Sequence, residues 1–497
     1  MGAIMVVGTT SHAGKSIMAA AICRMLKRQG HRVTPFKGQN MALNAYVTNA
    51  GDEMGHAQAV QAWAAGLEPR VEMNPILLKP QGDMTSQVIL NGKAVGKTQA
   101  ADYYQDYFDR GWQAITEALA KLQQEFDWIV CEGAGSPAEI NLKHRDLTNM
   151  RVAKHLNAAT LLVADIDRGG VFAHIVGTLE LLDPDERALI RGFVINKFRG
   201  QRSLLESGIT WLEDRTGIPV VGVIPWLEQS LPAEDSLDLF ERRRTKPNAE
   251  LTIAVIRLSR ISNFTDFDPL EAEPSVRLQF VSPHQSLGQP DAVIVPGSKT
   301  TIADLQQLQA TGMADQLQAY SRAGGMILGI CGGLQMLGQT IADPDGTEGQ
   351  PGKFSGLGLL PLQTTMTADK VTRQRQVQIT FPPYGSSLST EDRLVRGYEI
   401  HQGQTIVLQP EAVQAWFDDP ELGVASCQQP ILGTYLHGLF NNGPWRRAWL
   451  NQLRVQKNLS PLLVDVPDYE VYREHMLDQV TDAIAPHLNL QPFMDSP

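Results

Sequence analysis

Gly325-Met326-Ile327-Leu328-Gly329-Ile330-Cys331-Gly332-Gly333-Leu334-Gln335-Met336-Leu337 reads as a buried strand, a sharp turn and a helix, with a cysteine at the apex. Glycines on both sides of the apex remove Cβ atoms where backbone is strained or approached closely. A cysteine so placed starts a helix, where free N–H groups and the dipole favour a thiolate. Further along, Ile431-Leu432-Gly433-Thr434-Tyr435-Leu436-His437 reads as a strand ending in histidine. A cysteine and a histidine at two strand ends form a nucleophile–base pair, so Cys331 and His437 are the expected catalytic residues.

A second motif lies near the start of the chain. The apolar run Ala3-Ile4-Met5-Val6-Val7 leads into Gly8-Thr9-Thr10-Ser11-His12-Ala13-Gly14-Lys15-Ser16, and a helical pattern follows to Gln29. This is a phosphate-binding loop before a helix, its glycine spacing one residue longer than usual. Loop N–H groups around Thr10 and Gly14 would cradle phosphates, Lys15 would supply a cation, and Ser16 would offer a hydroxyl to Mg²⁺. The expected ligand is ATP. Glu132, after the strand Trp128–Cys131, is a second metal candidate, with a helix-capping role as the alternative.

Between and beyond these motifs the chain alternates strands with helical patterns. In the N-terminal half strands are expected at Ala3–Val7, Val33–Phe36, Trp128–Cys131, Thr160–Ala164, Gly192–Asn196 and Val220–Ile224. That alternation means an α/β fold with a doubly wound parallel sheet, and such sheets bind ligands at the carboxyl ends of their strands. A polar, proline-bearing stretch interrupts the pattern before a second α/β domain begins at Leu251. The expected division is 1–230, a linker at 231–250, a second domain at 251–447, and a helical, polar tail at 448–497 without chemistry of its own.

Bulk properties fit this reading. Of 497 residues, 43% are hydrophobic and 20% charged, as in a globular protein with two or three cores. A net charge of -11 argues against non-specific nucleic-acid binding. No apolar run approaches a membrane span. Met1–Val7 has neither a basic region nor a cleavage site, so no secretory leader is expected. Four scattered cysteines suggest neither a disulfide framework nor a zinc site, and a cytoplasmic location fits. A homo-oligomer remains open.

The second domain resembles class I glutamine amidotransferase domains through the Cys331 elbow, the His437 strand end and Val295-Pro296-Gly297-Ser298. The resemblance implies an oxyanion hole from backbone N–H groups at Gly297 and Gly332, as a tetrahedral intermediate requires. It departs at one point. The family's glutamate two residues after the histidine is here Leu439. The acid that orients His437 is therefore absent or comes from elsewhere; Glu399 and His401, in Gly397–Gly403, are available but read as structural or substrate-facing.

That departure is shared with a cobyrinate-type subgroup, which pairs such a domain with an N-terminal ATPase resembling dethiobiotin synthetase. Gly8-Thr9-Thr10 with Gly14-Lys15-Ser16, and Cys131-Glu132-Gly133-Ala134-Gly135, match that P-loop NTPase-like module. Further matching segments are Phe36–Asn44, Met73–Pro80, Asp165–Phe172, Ser262–Asp268 and Gly397–Gly403. The resemblance implies ATP- and glutamine-dependent amidation of four peripheral carboxylates of a corrinoid, adenosylcobyrinic acid a,c-diamide. A sister activity amidating two carboxylates, CTP synthase, and a non-catalytic ATP-binding scaffold are the competing readings. In related ATPases an asparagine placed like Asn196 touches adenine; a turn-forming asparagine is the alternative. Lys37 reads as a phosphate or carboxylate contact or a solvated strand end. Asp165 and Asp167 read as metal ligands or helix caps, and Asn263–Asp268 as corrinoid-facing or turn-forming.

Overall fold

The structure, a computed structural model, describes residues 2–81, 85–99, 107–227, 246–380 and 388–494. Most of the expected linker, residues 231–245, lies outside these. Contacts divide the chain into two units. The first is Met1–Ala42, Asp52–Pro232 and Arg473–Pro497; the second is Leu43–Gly51 and Ala233–Tyr472.

The first unit is a parallel sheet ordered Val220–Pro225, Ile190–Phe198, Ala159–Asp165, Gly2–Gly8, Trp128–Glu132, Val33–Phe36. Because side chains alternate along a strand, Ile4 and Val6 join the core on one face while Met5 and Val7 join the core on the other. Both faces are thus buried, as the continuous apolar run of this strand requires. The α-helix Lys15–Arg28 starts directly from the loop after Gly2–Gly8.

The second unit carries a seven-stranded sheet ordered Val276–Val281, Leu251–Ile256, Ala292–Val295, Met326–Ile330, Ile431–Thr434, Gly423–Ser426, Val413–Ala415. The first five run parallel, so their carboxyl ends share one edge. A five-stranded sheet, including Leu362–Gln378 and Leu394–Val407, ends in the short strand Leu436–His437. Two α/β units, the first with a doubly wound parallel sheet, are therefore what the alternation in the sequence means.

The tail is less polar in effect than its composition suggests. The helix Tyr469–Ile484 presents Leu477, Val480 and Ile484 at helical spacing, and these join Leu488, Leu490 and Phe493 in one core of the first unit. Its acidic residues are spent on ion pairs: Arg24 meets Glu474 at 2.9 Å and Asp478 at 2.8 Å, and Arg28 meets Asp478 at 2.6 Å. Among the described residues no helix is long and apolar enough to cross a membrane.

Ile484 is fully buried, so Ile484→Ala should destabilise the protein by about 2–5 kcal/mol through lost transfer energy and a residual cavity. Leu463→Ala, at a side chain 83% exposed, should change stability by no more than about 0.5 kcal/mol. Urea unfolding of both variants measures the difference. Equal midpoints would mean that the tail is not part of the core.

Candidate functional site

Two constellations are built at strand ends, one in each unit. In the second unit, Met326–Ile330 lies between Ala292–Val295 and Ile431–Thr434 and is buried throughout. Its carboxyl end delivers Cys331 in a strained conformation, φ 54° and ψ -111°, which costs a non-glycine residue on the order of 1–3 kcal/mol. The neighbours show why glycine follows. A Cβ on Gly333 would lie 1.9 Å from the carbonyl oxygen of Val295, and one on Gly332 would lie 3.0 Å from the Ser298 amide nitrogen. The Cys331 amide donates to the Thr434 carbonyl at 2.7 Å, tying the elbow to the adjacent strand.

His437 comes from the other sheet. It pairs antiparallel with Tyr398, whose ring stacks on the imidazole at 5.2 Å between centroids. The histidine is fully buried, and Gly297 packs beside its Cε1, where a Cβ would lie 3.5 Å away. Its Nδ1 hydrogen-bonds Asp266 Oδ2 at 2.7 Å, and the other carboxylate oxygen accepts from the Gly438 amide at 2.8 Å. Nε2 faces Asn263 Nδ2 at 3.4 Å, and the Cys331 sulfur, 3.5 Å from the Ile400 carbonyl oxygen, also bears on the ring. Burial works against a charged imidazole, yet the Asp266 carboxylate and the Cys331 sulfur outweigh it and raise the pKa to about 10. The surroundings of the ring thus favour its protonated form beside the Cys331 sulfur.

The acid that the sequence left open is therefore Asp266. It stands far from His437 in the chain, inside the stretch read as corrinoid-facing or turn-forming. One signal could have found it: the Ser262–Asp268 loop follows the strand Leu251–Ile256, whose carboxyl end shares the edge that carries Cys331. Glu399 lies on the opposite face of its strand from Tyr398. It accepts from Arg373 at 2.7 Å and pairs with His401 at 2.9 Å. Burial alone would raise its pKa; those two partners instead hold it down at about 2.

In the first unit the loop after Gly2–Gly8 turns through positive φ at His12 (59°) and Gly14 (105°). A Cβ on Gly14 would lie 2.1 Å from Asn196 Nδ2, and that amide donates to the Ala13 carbonyl at 2.8 Å, bracing the loop. Lys15 Nζ donates to the carbonyls of Thr10 at 3.2 Å and Gly135 at 3.0 Å. Ser16 Oγ donates to Glu132 Oε1 at 2.8 Å, and Lys37 Nζ pairs with the same oxygen at 3.0 Å. Gln61 Nε2 donates to Glu132 Oε2 at 2.5 Å. Cis ligands of an octahedral ion with bonds near 2.1 Å lie about 3.0 Å apart, close to the separation of the Ser16 and Glu132 oxygens, which could serve as neighbouring donors to Mg²⁺. Asp165 is committed otherwise: it accepts from the Asp167 amide at 2.9 Å and pairs with Lys197 at 2.7 Å.

Comparison with known proteins gives two domain matches and full-length relatives. Residues 4–237 match a CobQ/CobB/MinD/ParA nucleotide binding domain, and residues 252–445 a CobB/CobQ-like glutamine amidotransferase domain. The chain is similar to a protein of Acaryochloris marina named cobyric acid synthase, 87% identical over 99% of both chains. It is 64% identical to a protein of that name from a Nostoc species, again over 99% of both chains.

Replacing the Asp266 carboxylate by its neutral amide removes the charge that keeps His437 protonated. In Asp266→Asn the imidazole pKa should fall by roughly a unit or more, so the proton is lost at lower pH than in the parent protein. Ring NMR signals of His437 followed against pH measure this directly. An unmoved titration would mean that Asp266 does not set the charge of His437.

Proposed function

The chain belongs to the family of cobyric acid synthases, and on that premise we propose that it amidates four peripheral carboxylates (b, d, e and g) of adenosylcobyrinic acid a,c-diamide. ATP and glutamine are the co-substrates, and adenosylcobyric acid is the product, a step of cobalamin biosynthesis. What supports this reading is the buried Cys331–His437–Asp266 constellation in one unit and the Lys15–Ser16–Glu132 loop in the other, in a chain similar end to end to proteins of that name.

In the glutaminase unit Cys331, its proton held on His437, attacks the carboxamide carbon of glutamine as a thiolate. The amides at Gly297 and Gly332 receive the oxyanion. His437 gives its proton to the departing ammonia, and its imidazole then takes one from the water that cleaves the thioester. Asp266 holds the ring in the tautomer and orientation that both steps need.

A carboxylate is a poor electrophile, so in the other unit ATP activates it as an acyl phosphate, which ammonia attacks. Lys15 and the loop N–H groups at Thr10 and Gly14 neutralise charge on the phosphates. Asn196 braces the loop and meets the adenine. Ser16 and Glu132 would hold Mg²⁺, whose contribution is to screen the phosphate oxygens. All four cysteines are free thiols, which suits a reducing compartment such as the cytoplasm.

The two units should fail separately. Cys331→Ser should abolish glutamine-dependent amidation while amidation driven by added ammonia continues. Lys15→Ala should stop both, since carboxylate activation precedes either nitrogen source, with a loss on the order of several kcal/mol of transition-state stabilisation. Phosphate release together with the mass of the corrinoid product reads both variants and counts the amides. Parallel loss of both activities in a folded Cys331→Ser protein, or normal phosphate release from Lys15→Ala, would overturn the assignment.

A further inference from the structure

The segment Leu43–Gly51 belongs to the second unit, yet the chain on either side of it, ending at Ala42 and resuming at Asp52, belongs to the first. Within the second unit it is fastened to the surroundings of His437. Asn44 Oδ1 accepts from the Phe264 amide at 2.8 Å, and the Ala45 amide donates to Asn263 Oδ1 at 3.2 Å. Tyr398, which stacks on His437, donates its hydroxyl to the Ala45 carbonyl at 3.4 Å. Asn263 Nδ2 itself lies 3.4 Å from His437 Nε2.

These contacts converge on two consecutive residues. The loop that carries Asp266 begins at Asn263, which sits in the left-handed region at φ 51°. A non-glycine residue holds that conformation only where its surroundings impose it. Asn44 and Asn263, 1% and 3% exposed, clasp each other's neighbouring amides and so fix the loop from both sides. A loss of the Asn44 carbonyl oxygen would leave the buried Phe264 amide without that bond and release the loop.

We infer that Asn44 and Ala45 are positioning residues for the glutaminase, holding the Asn263–Asp266 loop so that Asp266 orients His437. This rests on the reading of Cys331 and His437 as the glutamine-hydrolysing pair.

The full-length enzyme with ATP, corrinoid and either glutamine or ammonia provides the test. Asn44→Ala should lower kcat for glutamine-dependent amidation by about tenfold or more, as loosened orientation of a catalytic group does. KM for glutamine and the ammonia-driven rate should stay within about twofold, since neither depends on the orientation of His437. Asn44→Asp keeps an oxygen for the Phe264 amide and should restore most of the rate. An Asn44→Ala enzyme with unchanged glutamine-dependent amidation overturns the inference. So does one whose ammonia-driven rate falls in parallel, because that is the signature of a merely structural residue. Cys331→Ser, assayed alongside, separates the two readings. If it loses glutamine-dependent amidation while Asn44→Ala retains it, only this inference falls; if Cys331→Ser retains it, the glutaminase assignment itself falls.

Discussion

A thiol at the end of a buried parallel strand can be presented only if the chain reverses where no side chain can follow. The Cys331 elbow is that reversal. Its positive φ is affordable because Gly333 lets the backbone press against the Val295 carbonyl, and because Thr434 holds the Cys331 amide. Once the elbow is fixed, sheet order does the rest. The strands on either side of it end in the Gly297 turn and in the approach to His437, so three pieces distant in sequence meet at one edge.

Direction in the imidazole comes from a buried charge pair rather than from the neighbouring position that similar domains use. Leu439 occupies that position and is buried among apolar side chains. A carboxylate arriving from another loop meets two demands at once. It accepts the Nδ1 proton, and it satisfies the Gly438 amide that the turn leaves free. Removing one member of such a pair strands a buried charge, typically at a cost of about 3–5 kcal/mol. The isosteric amide removes the charge while keeping an oxygen for the Gly438 amide, which makes it a sharper probe than truncation.

Much of this was legible in the sequence because it is local. The strand Gly2–Gly8, the loop to Ser16 and the Cys331 elbow each announce themselves through apolar runs and glycine at set offsets. His437 was legible as a strand end. Asp266 was not, because an acid on a loop carries no period, and only strand order brings it to the histidine. The tail misled by composition. Glu474 and Asp478 suggest a solvated helix, whereas Leu477, Val480 and Ile484 form the stripe that docks it. Leu43–Gly51 misled by position, since sequence order alone places it with the residues on either side.

The same contrast between local signal and global arrangement explains why the two halves of the chain carry their polarity differently. In the first unit Glu132 is 1% exposed and shared by Ser16, Lys37 and Gln61, so its charge is neutralised by a cation and two donors before any ligand arrives. In the second unit the Asp266 charge is matched by a single imidazole whose proton is needed for the chemistry. The other Asp266 oxygen accepts from the neutral Gly438 amide, so the counter-charge to Asp266 is the same group that must give up a proton in the reaction.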